Sequence, residues 1–231
     1  TSLKKRDDAL HFLANRGWSA VSEDFFNSLA GYLGKTLEMD YVLLGKLNES
    51  GKSVETIALY SHGKLVPNIT YKLSGTPCDN IIGKEMCVYP KGIREKIPND
   101  KLLVELQAES CVGVPLFDSK RKPIGILAVL HTKPLTNFET INSIFNIFAI
   151  SAGAEFERKK WEDALRESEY FFKESQKAAF IGSYKTNFTT GLWESSEILD
   201  QIFGIDKNYS RNIQSWLNIV HPDDREMINS Y

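Results

Sequence analysis

The chain has 231 residues, 42% of them hydrophobic, and sets 28 basic side chains against 30 acidic ones for a formal net charge of -2. That suits a soluble globular protein with one domain of roughly 150 residues and part of a second. The charges are interspersed, which excludes both the basic stripe of a nucleic-acid binder and a polybasic lipid patch, so neither nucleic acid nor direct membrane contact is expected.

Leu3 to Ala14 carries a short helical pattern that ends at the Gly17 break and is expected to pack away from the main core, on a second subunit for example. From Ser22 the apolar residues Phe26, Leu29, Leu33 and Leu37 recur three or four apart, which predicts an amphipathic core helix with Ser22, Glu23 and Asp24 at its start. The period then changes. Tyr41 to Leu47 and Val54 to Tyr60 are rich in β-branched and aromatic residues and flank the turn-like Asn48 to Lys52, which predicts a hairpin.

A third strand is expected around Ile69 to Leu73, before a loop-rich stretch holding Gly75, Pro77, Gly83, Pro90, Gly92 and Pro98. Long irregular segments of this kind are more often functional than idle. Cys111 to Phe117 and Ile124 to His131 read as two more strands around the turn Asp118 to Pro123. The expected fold class is therefore α+β, an antiparallel sheet with helices to one side.

From Phe138 a helical pattern runs to about Ala179, interrupted only by Gly153. Its most apolar stretch, Ile144 to Ala154, contains Asn146 and is too short to cross a bilayer, and the N-terminus lacks a signal-peptide core. A cytoplasmic location is expected, with a membrane span elsewhere in a parent protein left open. Trp161, Leu165 and Phe172 lie four and seven residues apart among charged neighbours, although Ser168 falls on the same line. A parallel coiled coil joining two copies is one reading; a single solvated connector is the other.

Past Ala179 the pattern restarts as a strand over Ile181 to Phe188, a turn at Thr189-Thr190-Gly191 and a strand from Leu192 to Glu194. Ser195 or Ser196 can cap a helix bearing Ile198, Leu199, Ile202 and Phe203, which Gly204 can end. A last amphipathic piece holds Ile213, Trp216, Leu217, Ile219 and Val220.

Two sets of residues now stand out. Val112-Gly113-Val114-Pro115-Leu116-Phe117-Asp118-Ser119 with Pro123-Ile124-Gly125-Ile126-Leu127-Ala128-Val129 resembles the central strand pair of GAF domains. Leu73-Ser74-Gly75-Thr76-Pro77-Cys78 and the helix through Glu155-Phe156-Glu157-Arg158 are similar to the GAF type that precedes PAS modules in sensor kinases. Ile181-Gly182-Ser183-Tyr184, Ser195-Ser196, Ile202-Phe203-Gly204-Ile205 and Val220-His221-Pro222-Asp223-Asp224-Arg225 resemble the first half of a PAS domain. The resemblance implies an N-terminal helix over 1–19, a GAF-like domain over 20–158, a connecting coiled-coil helix over 159–178 and the N-terminal part of a PAS-like domain over 179–231.

Candidate chemistry is sparse. Cys78, Cys87 and Cys111 are an odd number of cysteines without a CxxC pair, which fits reduced thiols better than disulfides or a zinc site. Bilin-binding GAF domains attach pigment through a cysteine, but Cys111 is followed by Val112 rather than the expected histidine and begins a core strand. Cys78 lies where a pocket would open, with inert burial as the alternative. His11, His62, His131 and His221 lack the spacing of a metal cluster. His221 precedes Pro222 and two acids, a helix-start pattern rather than a catalytic one, and no phosphate-binding glycine loop is present.

A pocket between the sheet and the loop-rich stretch would be walled by Tyr71, Thr76, Cys78, Tyr89 and His131; a filled interior without ligand is the competing expectation. The sequence points to no catalytic residue, no metal and no particular cofactor. It implies a non-enzymatic, homodimeric sensory module of a two-component sensor histidine kinase, taking a small molecule in the GAF domain and acting on C-terminal effector domains. A ligand-free dimerisation module of a signalling protein such as a diguanylate cyclase is the alternative.

Overall fold

Helix α1 (Ser2–Arg16) is followed by α2 (Ser22–Thr36), and the three- and four-residue spacing of apolar positions buries Phe26, Leu29 and Leu33 along one stripe of α2. The computed structural model describes residues 2–16, 22–80, 86–136 and 138–229; Gly17, Gly83 and the side chains of Ser22, Glu23 and Asp24 lie outside what it describes. The chain divides into two units, Thr1–Trp161 and Glu162–Tyr231.

In the first unit, β1 (Tyr41–Leu47) and β2 (Ser53–Ser61) form the expected hairpin. Asn48 holds the turn: its side-chain oxygen accepts from the Lys52 and Ser53 amides at 2.9 and 3.2 Å. β3 (Lys64–Val66) and β4 (Thr70–Lys72) pair with different stretches of β2. β5 (Cys87–Tyr89) pairs with β6 (Ser110–Phe117), and β6 with β7 (Pro123–His131). Every pairing is antiparallel, and the order is β3-β2-β1-β7-β6-β5, with β4 beside β2.

The strands bury both faces, because alternate side chains point to opposite sides of a pleated sheet. On one face Val42, Leu44, Val112, Val114, Leu127 and Val129 meet α2 and the first half of α5 (Phe138–Ala179), whose Ile144, Phe145, Phe148 and Ala152 are fully buried. Phe26 and Phe156 join the two helices, ring centroids 4.7 Å apart. Each such side chain contributes about 1.5–3 kcal/mol by leaving water.

Helix α1 also belongs to this face rather than to another subunit. Ala9 is buried, Phe12 and Leu13 pack on the core, and Phe12 stacks on Tyr32 with ring centroids 4.3 Å apart. The mixed polarity of Leu3 to Ala14 hid this, because only a narrow stripe is covered.

The opposite face is covered too, which corrects the expectation of helices to one side only. The loop-rich stretch holds a 3-10 turn (Pro77–Asn80), β5, α3 (Ile93–Lys96) and α4 (Lys101–Glu105). These pieces are each too short for a period to show in the sequence. They pack in two clusters, one around Leu47, Val54, Leu73, Cys78, Ile126 and Ala128 and one around Tyr41, Ile93, Leu103, Ala108, Cys111 and Leu130.

In the second unit, β8 (Tyr184–Asn187) and β9 (Leu192–Ser195) form a hairpin. The expected strand start at Ile181 moves to Tyr184, because the Ile181 amide still donates to the Gln176 carbonyl at 2.9 Å and Phe180 takes a left-handed φ of 53° to leave the helix. Ser196 caps α6 (Glu197–Phe203), and Gly204, at φ 66°, ends it.

Asn212 caps α7 (Ile213–Ile219) through the Ser215 amide at 2.8 Å, and a 3-10 turn (Pro222–Asp224) leads into α8 (Arg225–Asn229). Trp193 is the buried centre of this unit, packed against Trp216 and donating from Nε1 to the Asn212 carbonyl at 3.1 Å. Among the described residues no helix is long and apolar enough to cross a membrane.

Candidate functional site

The elements covering the second sheet face close over a small cavity. Tyr71 reaches it from β4, Thr76 and Cys78 from the turn after it, Asp100 from the start of α4, Cys111 from β6 and Leu43 from β1. Thr76 fixes its own turn by donating from Oγ1 to the Leu73 carbonyl at 2.7 Å, which sets Cys78 into the apolar cluster. The Tyr71 hydroxyl donates to Cys78 Sγ at 3.6 Å, within reach for a sulfur acceptor.

Asp100 is buried as the cap of α4, accepting from the amides of Leu102 at 2.9 Å and Leu103 at 3.4 Å. Burial raises its pKa despite those two bonds. Burial also pushes the Cys78 thiol up to about 11 and the Cys111 thiol well above its usual range. Both are protonated at neutral pH and are poor nucleophiles as they stand.

The cavity measures about 20 Å³ and its walls are almost wholly apolar. A single water needs about 10–15 Å³ on the same measure, and drug-sized ligands occupy pockets of ~300–1,000 Å³. In this conformation the site has room for little more than a single water.

Of the five residues named from the sequence, Tyr71, Thr76 and Cys78 line this cavity, while Tyr89 and His131 do not. Tyr89 lies at the edge of the cluster around Ile93, with the Lys96 ammonium 5.6 Å from its ring centroid. His131 is engaged by Asp40, its Nδ1 2.6 Å from Oδ2.

That second group is one the sequence reading missed. Asp40 Oδ2 also accepts from the Thr132 amide at 2.8 Å and hydroxyl at 2.6 Å, Oδ1 lies 3.5 Å from His62 Nδ1, and His62 Nε2 is 3.0 Å from the Tyr41 hydroxyl. The residues come from three strand ends far apart in the chain, so spacing carried no signal. Among the described residues no cluster of histidine, cysteine and carboxylate groups could hold a metal ion. His221 lies in the second unit and plays the helix-start role its neighbours suggested, with Pro222 first in the turn and its Nδ1 3.5 Å from the Asp223 amide.

Trp161, Leu165 and Phe172 project from α5 with 64%, 62% and 61% of their surface exposed. Tyr170 and Phe171 are also exposed beside them. So many large apolar side chains on one solvated helix leave an uncovered apolar surface.

A family model described as GAF domain matches residues 22–154. Among solved structures, the chain is similar to the A. aeolicus nlh2 GAF domain in an inactive state, at 12% identity and a TM-score of 0.56 over 69% of this chain and 99% of that one. It is similar to the free methionine-R-sulfoxide reductase from Neisseria meningitidis in complex with its substrate, at 15% identity and a TM-score of 0.57 over 70% and 93%. It is likewise similar to the phycocyanobilin-bound GAF domain from a cyanobacterial phytochrome, at 14% identity and a TM-score of 0.50 over 68% and 97%. Likeness at these identities speaks to the fold alone. No curated protein matches the chain.

Proposed function

The chain belongs to the GAF domain family, the matched residues 22–154 spanning more than half of it, and from that premise we propose that it is a sensory and regulatory module of a signalling protein. Its parent is a two-component sensor histidine kinase of the cytoplasm. The chain itself carries no catalytic site. A small molecule acts on the sheet face that bears Tyr71, Thr76 and Cys78, and the change passes through α5 to a PAS-like segment over 179–231 and to effector domains.

The observation that carries this reading is the double role of α5. Its first half supplies Ile144, Phe145, Phe148 and Ala152 to the GAF core, and the same helix continues to Ala179 with Trp161, Leu165 and Phe172 uncovered. An element built into the sensor core and running beyond it is suited to relay, provided the signal prefers one of its two states. Pairing of two α5 helices through those residues makes the module a homodimer.

The size of the cavity favours a second reading, a ligand-free dimerisation module of a signalling protein such as a diguanylate cyclase, because about 20 Å³ leaves no room for a metabolite without opening. Native mass spectrometry of the purified chain, followed by denaturing mass spectrometry, separates the two. A released small molecule upholds the sensor. A dimer that releases nothing upholds the dimerisation module, and an apo monomer overturns both.

A further inference from the structure

We infer that the three cysteines form a peroxide-responsive site in which Cys87 is oxidised first and Cys78 then closes a disulfide with it. All the cysteines of the chain lie on one sheet face. In the β5–β6 ladder Cys87 stands opposite Gly113 and Tyr89 opposite Cys111, and residues paired in this way share a face. Cys78 and Cys111 both line the cavity, and Cys87 packs against the cluster that contains Cys78. The turn bearing Cys78 packs directly on β5 and β6.

Position divides the labour between the thiols. β5 is the edge strand of the sheet and Cys87 is half-buried, whereas Cys78 and Cys111 are buried. A peroxide arriving from solvent meets Cys87 first. Cys111 is a poor partner for it, since diagonal neighbours on antiparallel strands stand about 7–8 Å apart, near or beyond the ~7 Å limit between bridged Cα atoms. Cys78 sits on a short turn rather than in a ladder, so its backbone can yield to the bridge.

The Cys87 thiolate attacks one peroxide oxygen, the O–O bond breaks, an alcohol or water leaves, and Cys87 becomes a sulfenic acid. The Cys78 sulfur then attacks the sulfenic sulfur, the S–O bond breaks, and water leaves with the Cys78 proton. Two thiols are oxidised and one peroxide is reduced. Cys78 is a weak nucleophile at neutral pH, so its contribution rests on proximity. The bridge draws on the Cys78 sulfur that accepts from the Tyr71 hydroxyl and ties the turn at Pro77–Asn80 to the sheet edge.

This inference rests on the reading of that face as the input side, and thiol mapping tests it independently of any bound metabolite. The intact chain is treated with stoichiometric hydrogen peroxide, the peroxide is removed, the chain is unfolded and its remaining thiols are alkylated, and its peptides are identified by mass with and without reduction. The expected result is one alkylated cysteine, Cys111, and a Cys78–Cys87 peptide that disappears on reduction. Cys87→Ser should abolish the bridge, while Cys111→Ser should keep it, with far-UV circular dichroism confirming that each variant folds. Three alkylatable thiols after peroxide, over-oxidised Cys87 without a cross-link, or a bridge containing Cys111 would each overturn the inference. A chain that releases no small molecule yet forms the bridge upholds this inference and removes the metabolite; a released metabolite with inert thiols does the reverse.

Discussion

A Cβ placed on Gly153 would stand 2.6 Å from the carbonyl oxygen of Phe117, so the β6–β7 hairpin rests directly on the backbone of α5. One turn later Glu157 accepts from the Ser119 amide at 2.9 Å and from its hydroxyl at 2.6 Å. The hairpin is thus seated on two successive turns of the helix proposed to carry the signal.

Gly153→Ala sets two effects against each other. Alanine favours the helix by about 1 kcal/mol. The new methyl group meets backbone rather than a flexible side-chain end, and overpacking of this kind costs about 1–3 kcal/mol. The clash should win, and the first thermal transition should fall by several degrees. A raised melting temperature would show that the hairpin lifts away without cost.

Asp40 makes stability depend on acid. Burial acts to raise its pKa, but the Thr132 hydroxyl and amide and the neighbouring His131 outweigh it and hold the carboxyl below its ordinary value. A carboxylate with a lowered folded pKa contributes stability fully above its unfolded value near 3.8 and loses it as pH falls through the folded value. Melts should therefore show this contribution intact from neutral pH down to about 3.8 and lost only below it, so the series is carried into stronger acid. Asp40→Asn should cost about 1–3 kcal/mol at neutral pH, because it weakens bonds that hold three strand ends, and should flatten the acid decline. An unchanged acid profile would mean other carboxylates set it.

Where a period had room to repeat, the sequence was readable. Phe26, Leu29 and Leu33 on α2 and the alternation through Val112 and Val129 placed the core strands and helix within a residue or two. Gly153 stood out in the sequence only as a lone interruption, and its reason is the Phe117 carbonyl, a contact between residues far apart in the chain. The three-residue strands β3 and β5 and the four- and five-residue helices α3 and α4 are shorter than any window that could reveal them. Of these, α4 lines the cavity through Leu102 and Leu103. Tyr71, Thr76 and Cys78 were placed together because the turn that joins them is local, whereas the attachment of His131 to Asp40 joins residues 91 apart.

In the second unit Arg211 ties β9 and α6 to the loop that precedes α7. Its guanidinium bonds Asp200 at 2.8 Å and the Ser195 hydroxyl at 3.0 Å, and lies 5.7 Å from the Trp193 ring centroid. Ser195 in turn donates to the other Asp200 oxygen. Arg211→Ala would leave a largely buried carboxylate without its cation, a loss of about 2–4 kcal/mol, and a unit built on a two-stranded sheet has little to spare. Limited proteolysis should cut the variant between β8 and α7 under conditions that leave the parent whole. Equal resistance would show that the Trp193 cluster holds the unit without the arginine.

Native thiol accessibility should separate the cysteines. With Cys78 pushed up to about 11 and Cys111 higher than usual, both by burial, a bulky maleimide near neutral pH should modify only Cys87 quickly. The other two should react after unfolding. Cys78→Ser should leave folding intact and change the response to any molecule bound at this face; rapid labelling of all three thiols would mean that the cover over the cavity opens readily.

The exposed side chains of α5 can be tested where they cost the fold least. Trp161 is 64% exposed and lies at the junction of the two units, so Trp161→Glu should leave each of them folded. If two copies pair through Trp161, Leu165 and Phe172, the substitution puts a charge on that seam in both helices at once, where burial without a partner is costly. The dimer dissociation constant should then rise by at least about tenfold, equivalent to ~1.4 kcal/mol. Light scattering across a dilution series measures this directly. A variant that keeps the parent's mass at every concentration would assign the pairing to another surface and leave the aromatic side chains of α5 as a solvated connector.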